Sequence, residues 1–225
     1  MNPALLDPRL QTAYDLFPQC AYGADIGSDH GKLALALVLG NRCSRIAVTD
    51  ISPVSLEKAE KLFAQFRLLT RADFLLGDGL SVLQTRPEAV SICGMGGRTL
   101  IGILERGFDR IDGAALILSP QTELSRVRQF LYNSLSYHLT DERCLRCGGR
   151  HYVVMRAEPG KAVLSPAEAE LGPVLMRQRT APVRAYYAWR SGVLSVCRDE
   201  GLKEAKKWYD DALRQMPEDG SLSEK

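Results

Sequence analysis

Short apolar runs alternate with helical patterns along the first half of the chain. Five runs predict strands, at Tyr22–Ile26, Arg45–Asp50, Ala72–Leu76, Ala89–Cys93 and Ala114–Ser119. The segments between them carry apolar residues at helical spacing, at Lys32–Leu39, Pro53–Phe66, Thr99–Arg106 and Leu124–Leu135. Because strands that alternate with helices form βαβ units, this pattern predicts an α/β fold built on a parallel sheet.

Two helix starts are marked by a capping residue followed by proline. Asp7 precedes Pro8 near the start of the chain, and Ser52 precedes Pro53 before the clearest helical stripe. A capping side chain accepts hydrogen bonds from the first free backbone N–H groups, and proline suits the first helical position because it lacks an N–H. We therefore expect helices to begin at both places.

The pattern changes after the fifth strand and its helix. Tyr137–Leu145 and Tyr152–Glu158 follow one another with no helix between them. Their connection, Arg146–Arg150, contains two glycines and suits a hairpin. The two segments are therefore predicted to form an antiparallel pair at the edge of the sheet.

The last third of the chain has no strand pattern. Ser165-Pro166 and Thr180-Ala181-Pro182 repeat the capping signal, so helices are predicted to start there. We predict two domains, 1–160 and 161–225, the second a coiled-coil-like helical hairpin. Its predicted apolar seam is formed by Tyr186, Val193, Val196 or Cys197, Ala205, Trp208 and Met216.

Composition narrows the class of protein. The 225 residues are 45% hydrophobic and 25% charged, which excludes a disordered or fibrous chain. No apolar run has the length of a membrane helix, and the first residues lack the layout of a signal peptide, so we expect a soluble, cytoplasmic protein. Six scattered cysteines are then expected to be reduced thiols. A net charge of +2 neither requires nor excludes a nucleic-acid partner.

The residues with chemical potential lie where the predicted strands end. The first strand runs into the loop Asp25–Gly31 and then a helix. Counted from Gly27, Asp29 and Lys32 occupy the positions where a dinucleotide-binding fingerprint has its second and third glycines. A carboxylate is a poor neighbour for a pyrophosphate and a better one for a cation. The loop therefore favours S-adenosylmethionine, which has a sulfonium and an amino group, over NAD, although an ordinary βα turn would also contain glycines.

Three further strand ends extend this pattern. Asp50 ends the second strand, where an acid can accept hydrogen bonds from ribose hydroxyls, and a helix-flanking aspartate is the alternative. Asp78, in Gly77-Asp78-Gly79-Leu80 after the third strand, could accept from an adenine amino group. Gly94-Met95-Gly96-Gly97 after the fourth strand indicates backbone that approaches a ligand closely, with a tight strand-to-helix turn as the simpler explanation.

Together these motifs resemble a known family. DIGSDHG, GDGL, GMGG, LILSPQ and the later ELGP are similar to segments of the bacterial tRNA (adenine-22-N1)-methyltransferases, which are class I S-adenosylmethionine-dependent methyltransferases. The resemblance implies a Rossmann-like methyltransferase sheet with a C-terminal helical hairpin, S-adenosylmethionine as cofactor and tRNA as partner. The cofactor-binding residues it implies are Asp25, Gly27, Ser28, His30, Asp50, Ile51, Asp78, Gly79, Gly94, Met95 and Gly96.

Asp29, His30 and Tyr152 are the candidate catalytic residues. Asp29 is expected to face the methyl group, where a carboxylate can stabilise the charge on a methylated adenine or take its proton. Capping of the helix that follows this loop, or binding of the methionine amino group, is the alternative role for Asp29. His30 could contact cofactor or acceptor base, and the Tyr152 ring could pack on an adenine that has left its stack.

Other interpretations of the sequence stay open at this point. The chain departs from the family pattern at Gly31-Lys32-Leu33, at Asp50, at Ser119-Pro120-Gln121 and at His151-Tyr152. A methyltransferase for a small molecule or a protein, or an RNA-binding protein with a vestigial pocket, is an alternative function. Cys144 and Cys147 lack a second cysteine pair for a structural zinc, so no metal is predicted. Four arginines of the helical tail could contact tRNA phosphates or form a solvated face, and they are Arg177, Arg179, Arg184 and Arg190.

Overall fold

The computed structural model describes residues 6–196 and 200–216. The strands are β1 Cys20–Ile26, β2 Cys43–Asp50, β3 Ala72–Leu76, β4 Ala89–Cys93, β5 Ala115–Ser119, β6 Tyr137–Cys147 and β7 Arg150–Pro159. The helices are α1 Pro8–Leu16, α2 Lys32–Leu39, α3 Pro53–Gln65, α4 Gly97–Gly107, α5 Leu124–Asn133, α6 Pro166–Leu171, α7 Ala181–Leu194 and α8 Glu200–Arg214. The predicted α/β class and the order of its elements are confirmed.

All seven strands form one sheet in the order β3-β2-β1-β4-β5-β7-β6. The strands β1 to β5 are parallel, and β7 runs antiparallel to both β5 and β6. The predicted antiparallel edge pair is thus confirmed, and its two strands are longer than predicted. Gly148 and Gly149 form the hairpin turn with φ of 55° and 78°, a region that glycine enters without a steric penalty.

The predicted helix caps are present. The Asp7 carboxylate accepts from the backbone N–H groups of Arg9 and Leu10, and the Ser52 hydroxyl accepts from that of Ser55. Each cap is followed by proline at the first helical position. These local signals set where α1 and α3 begin, and both helices cover the same side of the sheet as α2.

Apolar residues fill both faces of the sheet. Helices α1, α2 and α3 pack on one face, with Phe17, Leu35 and Phe63 fully buried. Helices α4 and α5 and the C-terminal helices pack on the other face, where Leu104, Leu131 and Tyr187 are buried. No helix in the described parts of the chain is long and apolar enough to cross a membrane.

The predicted apolar seam of the C-terminal helices is confirmed at Tyr186, Ala205 and Met216, which are buried, and differs at two valines. Val193 and Val196 are 39% and 84% exposed, whereas Leu194 and Tyr209 are buried in the cluster shared with the sheet. The prediction was wrong for these two valines because Val196 lies beyond the last residue of α7, and at the end of this helix Leu194 is buried in place of Val193. Cys197 lies outside the described residues. The domain boundary after residue 160 stays a prediction.

A buried ion pair joins the C-terminal segment to the sheet. Arg128 of α5 donates through Nε to Glu142 of β6 at 2.9 Å, and both side chains are fully buried. The guanidinium also donates to the carbonyls of Ala169 and Glu170, and Glu142 accepts from the backbone N–H of Val174 at 2.9 Å. The pair therefore carries hydrogen bonds between the sheet and the chain around α6.

Candidate active site

A pocket opens at the carboxyl ends of β1 and β4. The strand order reverses between these two neighbours, which is the position where open parallel sheets bind ligands. The pocket has a volume of about 450 Å³. It brings together eight of the predicted site residues, namely Asp25, Gly27, Ser28, Asp29, His30, Gly94, Met95 and Tyr152.

The loop after β1 is shaped by left-handed residues. Gly27, Asp29 and Gly31 have φ of 65°, 54° and 69°. A Cβ on Gly27 would lie 2.0 Å from Met95 Cε and would displace the end of that side chain, and the left-handed φ itself favours glycine at this position. Asp29 is one of the few residue types that tolerates this conformation without being glycine.

Asp25 holds this loop in place through hydrogen bonds of its buried carboxylate. Its buried carboxylate accepts from the Ser28 hydroxyl at 2.5 Å and from the Ser91 hydroxyl at 2.7 Å. Burial raises the pKa of the Asp25 carboxyl, and the two hydroxyl hydrogen bonds act in the opposite direction. Ser28 also donates its backbone N–H to the Thr49 carbonyl at 2.9 Å. Asp25 and Ser28 are thus placed to hold the loop, and their contact with cofactor stays a prediction.

Asp50 lies beside the pocket at the end of β2. One carboxylate oxygen accepts from the backbone N–H of Asp29 at 2.9 Å, and the other accepts from that of Ser52 at 2.8 Å. Ile51, the next residue, is 73% exposed. The Asp50 carboxylate and the Ile51 side chain therefore border the open surface next to the loop after β1.

The loop after β3 holds the other predicted carboxylate. Asp78 is about half exposed, and its carboxylate pairs with Arg106 of α4 at 3.0 Å. Gly79, which follows it, has φ of 59°. Neither residue lines the pocket itself, so the proposed contact of Asp78 with an adenine would lie on the surface beyond it.

The glycines after β4 leave room for a ligand. Gly94 has φ of 81°, and within the described chain no atom lies within 4 Å of the position that a Cβ would take there. Met95 lines the pocket, and its carbonyl accepts from the backbone N–H of Gln121 at 2.8 Å. Gly96 caps α4 and does not line the pocket. The open space at Gly94 fits a ligand that lies against the backbone.

The three candidate catalytic residues share the pocket. Asp29 has a 73% exposed carboxylate, and Oδ1 lies 3.5 Å from His30 Nε2. His30 Nε2 is also 3.2 Å from Lys58 Nζ of α3. Tyr152, near the start of β7, also lines the pocket. The Asp29 carboxylate is therefore free to meet a substrate, while Tyr152 presents an aromatic ring.

Sequence reasoning missed the contribution of the first helix. Arg9 lines the pocket, and its guanidinium lies over the Tyr152 ring at 5.0 Å from the centroid. Arg9 also pairs with Asp7 at 2.6 Å. Ser119 and Gln121, which the sequence marks only as a departure from the family pattern, line the same pocket. A capped helix start was visible at Asp7, but nothing local indicated that it would face β7.

Other sequence hypotheses have different outcomes. Arg184 donates to the carbonyls of Leu213 and Met216, and Arg190 pairs with Glu170 at 2.8 Å. Both guanidinium groups are thus engaged within the helical segment, which leaves them less available for phosphate contacts than the other two arginines. Arg177 and Arg179 are exposed. The structure groups no three metal-ligating side chains within residues 6–196 and 200–216.

Fold and site together define a Rossmann-like methyltransferase. A family model described as tRNA (adenine(22)-N(1))-methyltransferase matches residues 23–207. A curated Bacillus subtilis protein of the same description is 33% identical over 189 residues, which cover 80% of this chain and 79% of that protein. The chain therefore belongs to the tRNA (adenine(22)-N(1))-methyltransferase family.

Solved structures agree with this assignment. The tRNA methyltransferase TrmK of Bacillus subtilis superposes with a TM-score of 0.78 at 29% identity, covering 93% of this chain and 96% of that one. A Streptococcus pneumoniae protein in complex with S-adenosyl-L-methionine gives a TM-score of 0.87 at 22% identity, covering 92% and 99%. At 22% identity, the similarity to the Streptococcus pneumoniae structure supports the fold only. The Rossmann-like sheet predicted from the sequence is confirmed.

Proposed function

We infer that this chain is an S-adenosylmethionine-dependent enzyme that methylates N1 of adenine 22 in tRNA. The observation that carries this function is the pocket at the switch point, built by the loops after β1 and β4 in a chain of this family. Its glycine at position 94 leaves backbone open to a ligand, and its acids suit a cation.

The residues around the pocket fit the cofactor. S-adenosylmethionine, when bound, supplies a methyl carbon that N1 attacks in line, with the C–S electron pair passing to sulfur. Gly27, Gly94 and Met95 would hold the methionine part against the backbone. Asp50, with one edge of its carboxylate beside the open surface, would accept from the ribose hydroxyls, and Asp78 from the adenine amino group. Ile51 would cover the adenine ring.

Catalysis depends first on alignment of the acceptor nitrogen. The N1 lone pair lies in the plane of adenine, so attack needs no prior deprotonation. As the new N–C bond forms, the ring becomes cationic and the exocyclic amine becomes acidic. The exposed Asp29 carboxylate would accept that proton, with His30 Nε2 3.5 Å from Asp29 Oδ1. Tyr152 would pack on the adenine that has left its stack.

The partner is therefore tRNA. The cytoplasmic location of the protein remains a prediction from the sequence. The exposed guanidinium groups of Arg177 and Arg179 support a role of the C-terminal segment in RNA binding. Arg184 and Arg190 are left out of this role because they hydrogen-bond within the protein.

A labelled-methyl assay tests the function. Two transcripts of one tRNA, with adenine or guanine at position 22, are incubated with the protein and methyl-labelled S-adenosylmethionine. We expect label only in the adenine transcript, recovered as 1-methyladenosine after digestion to nucleosides. Equal labelling of both transcripts would show that adenine 22 is not the methylated nucleotide. Labelling of proteins or small molecules from an extract, with none of either transcript, would favour the alternative methyltransferase.

A further inference from the structure

Three aromatic side chains form a stack outside the cofactor pocket. The His151 ring of β7 stacks on Trp189 of α7, with centroids 5.1 Å apart and planes at 24°. Tyr186 contacts both rings, at 6.1 Å and 6.0 Å. Tyr186 is 2% exposed and Trp189 is 44% exposed. The stack is therefore fixed from the protein interior and open on its outer side.

The stack lies at the same end of the sheet as the pocket. His151 directly precedes Tyr152, which lines the pocket, and neighbouring strand residues point to opposite faces. Tyr152 consequently faces α1, and His151 faces α7. One strand separates the ring proposed to hold the acceptor adenine from the open indole.

Two exposed arginines lie at the tip of the hairpin, one on the face of the stack and one on the face of the pocket. Arg146 pairs in register with His151, so it lies on the same face, and Arg150 lies on the face of Tyr152. Both are exposed, and neither forms an ion pair within the described residues. A groove of about 600 Å³ beside them is lined by Arg146, His151 and apolar or small residues of β6 and α7. Its lining contains no carboxylate.

Burial and the charge of Arg146 lower the pKa of the His151 imidazole. A neutral flat ring on an indole, next to exposed guanidinium groups, is the arrangement by which proteins bind single-stranded nucleotides. The rings stack on a base, and the arginines contact phosphates. Stacking of this kind accepts any base, because every base has an aromatic face.

Resting on the proposed function, we propose that His151 and Trp189 bind one unstacked base of the tRNA next to the adenine in the pocket. Arg146 and Arg150 contact the phosphates that lead from this base across the hairpin tip to the pocket. A second copy of the chain fits this patch less well. A two-fold contact centred there would bring the arginines of both copies together, and like charges oppose such a contact.

Binding of unmodified tRNA transcript to four variants tests this platform. We expect Trp189→Ala to weaken the tRNA Kd by about tenfold or more, the usual effect of losing one stacked base, and Trp189→Phe to weaken it much less. Arg146→Gln combined with Arg150→Gln should lower the slope of log Kd against log salt concentration by about two, one for each phosphate contact that is lost. Lys161→Gln, an exposed cation beyond the far end of β7, is the matched control and should bind like the wild type.

The same preparations separate the possible failures. The Kd for S-adenosylhomocysteine should be unchanged in every variant, and each variant should stay folded at the assay temperature, which confines the effect to RNA. If wild-type protein binds and methylates tRNA while Trp189→Ala binds it equally well, the platform is refuted and the function stands. If Trp189→Ala instead dissociates a dimer without changing tRNA affinity, the patch is a contact between copies. Absence of tRNA binding by the wild type refutes the proposed function itself.

Discussion

The carboxylate of Asp50 accepts a hydrogen bond from the backbone N–H of Asp29 at 2.9 Å. Its other oxygen accepts from the backbone N–H of Ser52, the cap of α3. One side chain at the end of β2 therefore ties the left-handed turn after β1 to the start of the next helix. The residue proposed to hold the ribose also sets the position of the candidate catalytic loop.

We expect Asp50→Ala to weaken cofactor binding by about tenfold or more, because it removes the ribose contact and the hydrogen bond that shapes the loop. Asp50→Asn keeps one carbonyl oxygen as acceptor and should lose less. Calorimetric titration with S-adenosylhomocysteine measures both constants. Equal affinity of the alanine variant and the wild type would remove Asp50 from the site.

Asp29→Asn tests the proton acceptor with little change in shape. Asparagine also tolerates the left-handed conformation found at φ 54°, and the backbone N–H that bonds Asp50 is kept. We expect turnover at saturating cofactor and tRNA to fall by about 10²–10⁴, the range for a positioned acid–base group, with cofactor Kd changed much less.

Single-turnover methylation and calorimetry on one preparation distinguish the roles of Asp29. Preserved turnover with weakened cofactor binding would assign its carboxylate to the methionine amino group instead. Asp29→Gly serves as a control for the backbone, since glycine keeps the turn but has no side chain. It should be as slow as the asparagine variant if the charge is what matters.

The strand ends were predictable from the sequence because each signal there is local. A run of apolar residues followed by glycine and aspartate marks the end of a strand, and the βαβ rule places all such ends on one edge. The loops after β1 and β4 could thus be expected to meet from the order of the residues alone. Asp29 and Gly94 indeed line one pocket.

The contact between Arg9 and Tyr152 was not predictable in this way. It depends on β7 inserting between β5 and β6, and on α1 lying against that strand. No spacing in the sequence encodes either fact. The burial of the two valines was mispredicted for a related reason, since the face that α7 buries is set by its packing against β6 and α8, and no signal in the sequence marks Leu194 as the end of this helix.

Loss of one partner of the buried ion pair should destabilise the fold. Arg128→Met leaves the Glu142 carboxylate buried without its cation, at a cost of about 3–5 kcal/mol in the free energy of unfolding. Arg128→Met combined with Glu142→Leu removes both charges and should recover part of that loss. Urea unfolding followed by circular dichroism gives the free energy of unfolding of the wild type, of both single variants and of the double variant. Additive losses in the double variant would contradict the coupling.

Gly172→Ala provides an independent test of the same site. A Cβ there would lie 2.8 Å from both Arg128 Nη2 and Glu142 Oε2, and the backbone has φ of 96°. We expect it to lower the melting temperature, and the same change at the exposed Gly192, with no atom of the described chain near its Cβ position, to leave it unchanged or raised. Equal melting temperatures for the two variants would show that the pair tolerates intrusion.

The last prediction concerns the Arg9 guanidinium over the Tyr152 ring. The guanidinium lies 5.0 Å from the ring centroid, and the Tyr152 side chain lines the pocket, where a base could pack on it. Tyr152→Phe keeps the ring, so methylation should stay near the wild-type rate, whereas Tyr152→Ala should slow single-turnover methylation by about tenfold or more. Arg9→Gln should slow it less and have little further effect in the Tyr152→Ala background, because the guanidinium acts through that ring. Independent, multiplicative losses in the double variant would instead assign Arg9 a direct contact with the cofactor carboxylate, which a weaker S-adenosylhomocysteine Kd for Arg9→Gln alone would verify.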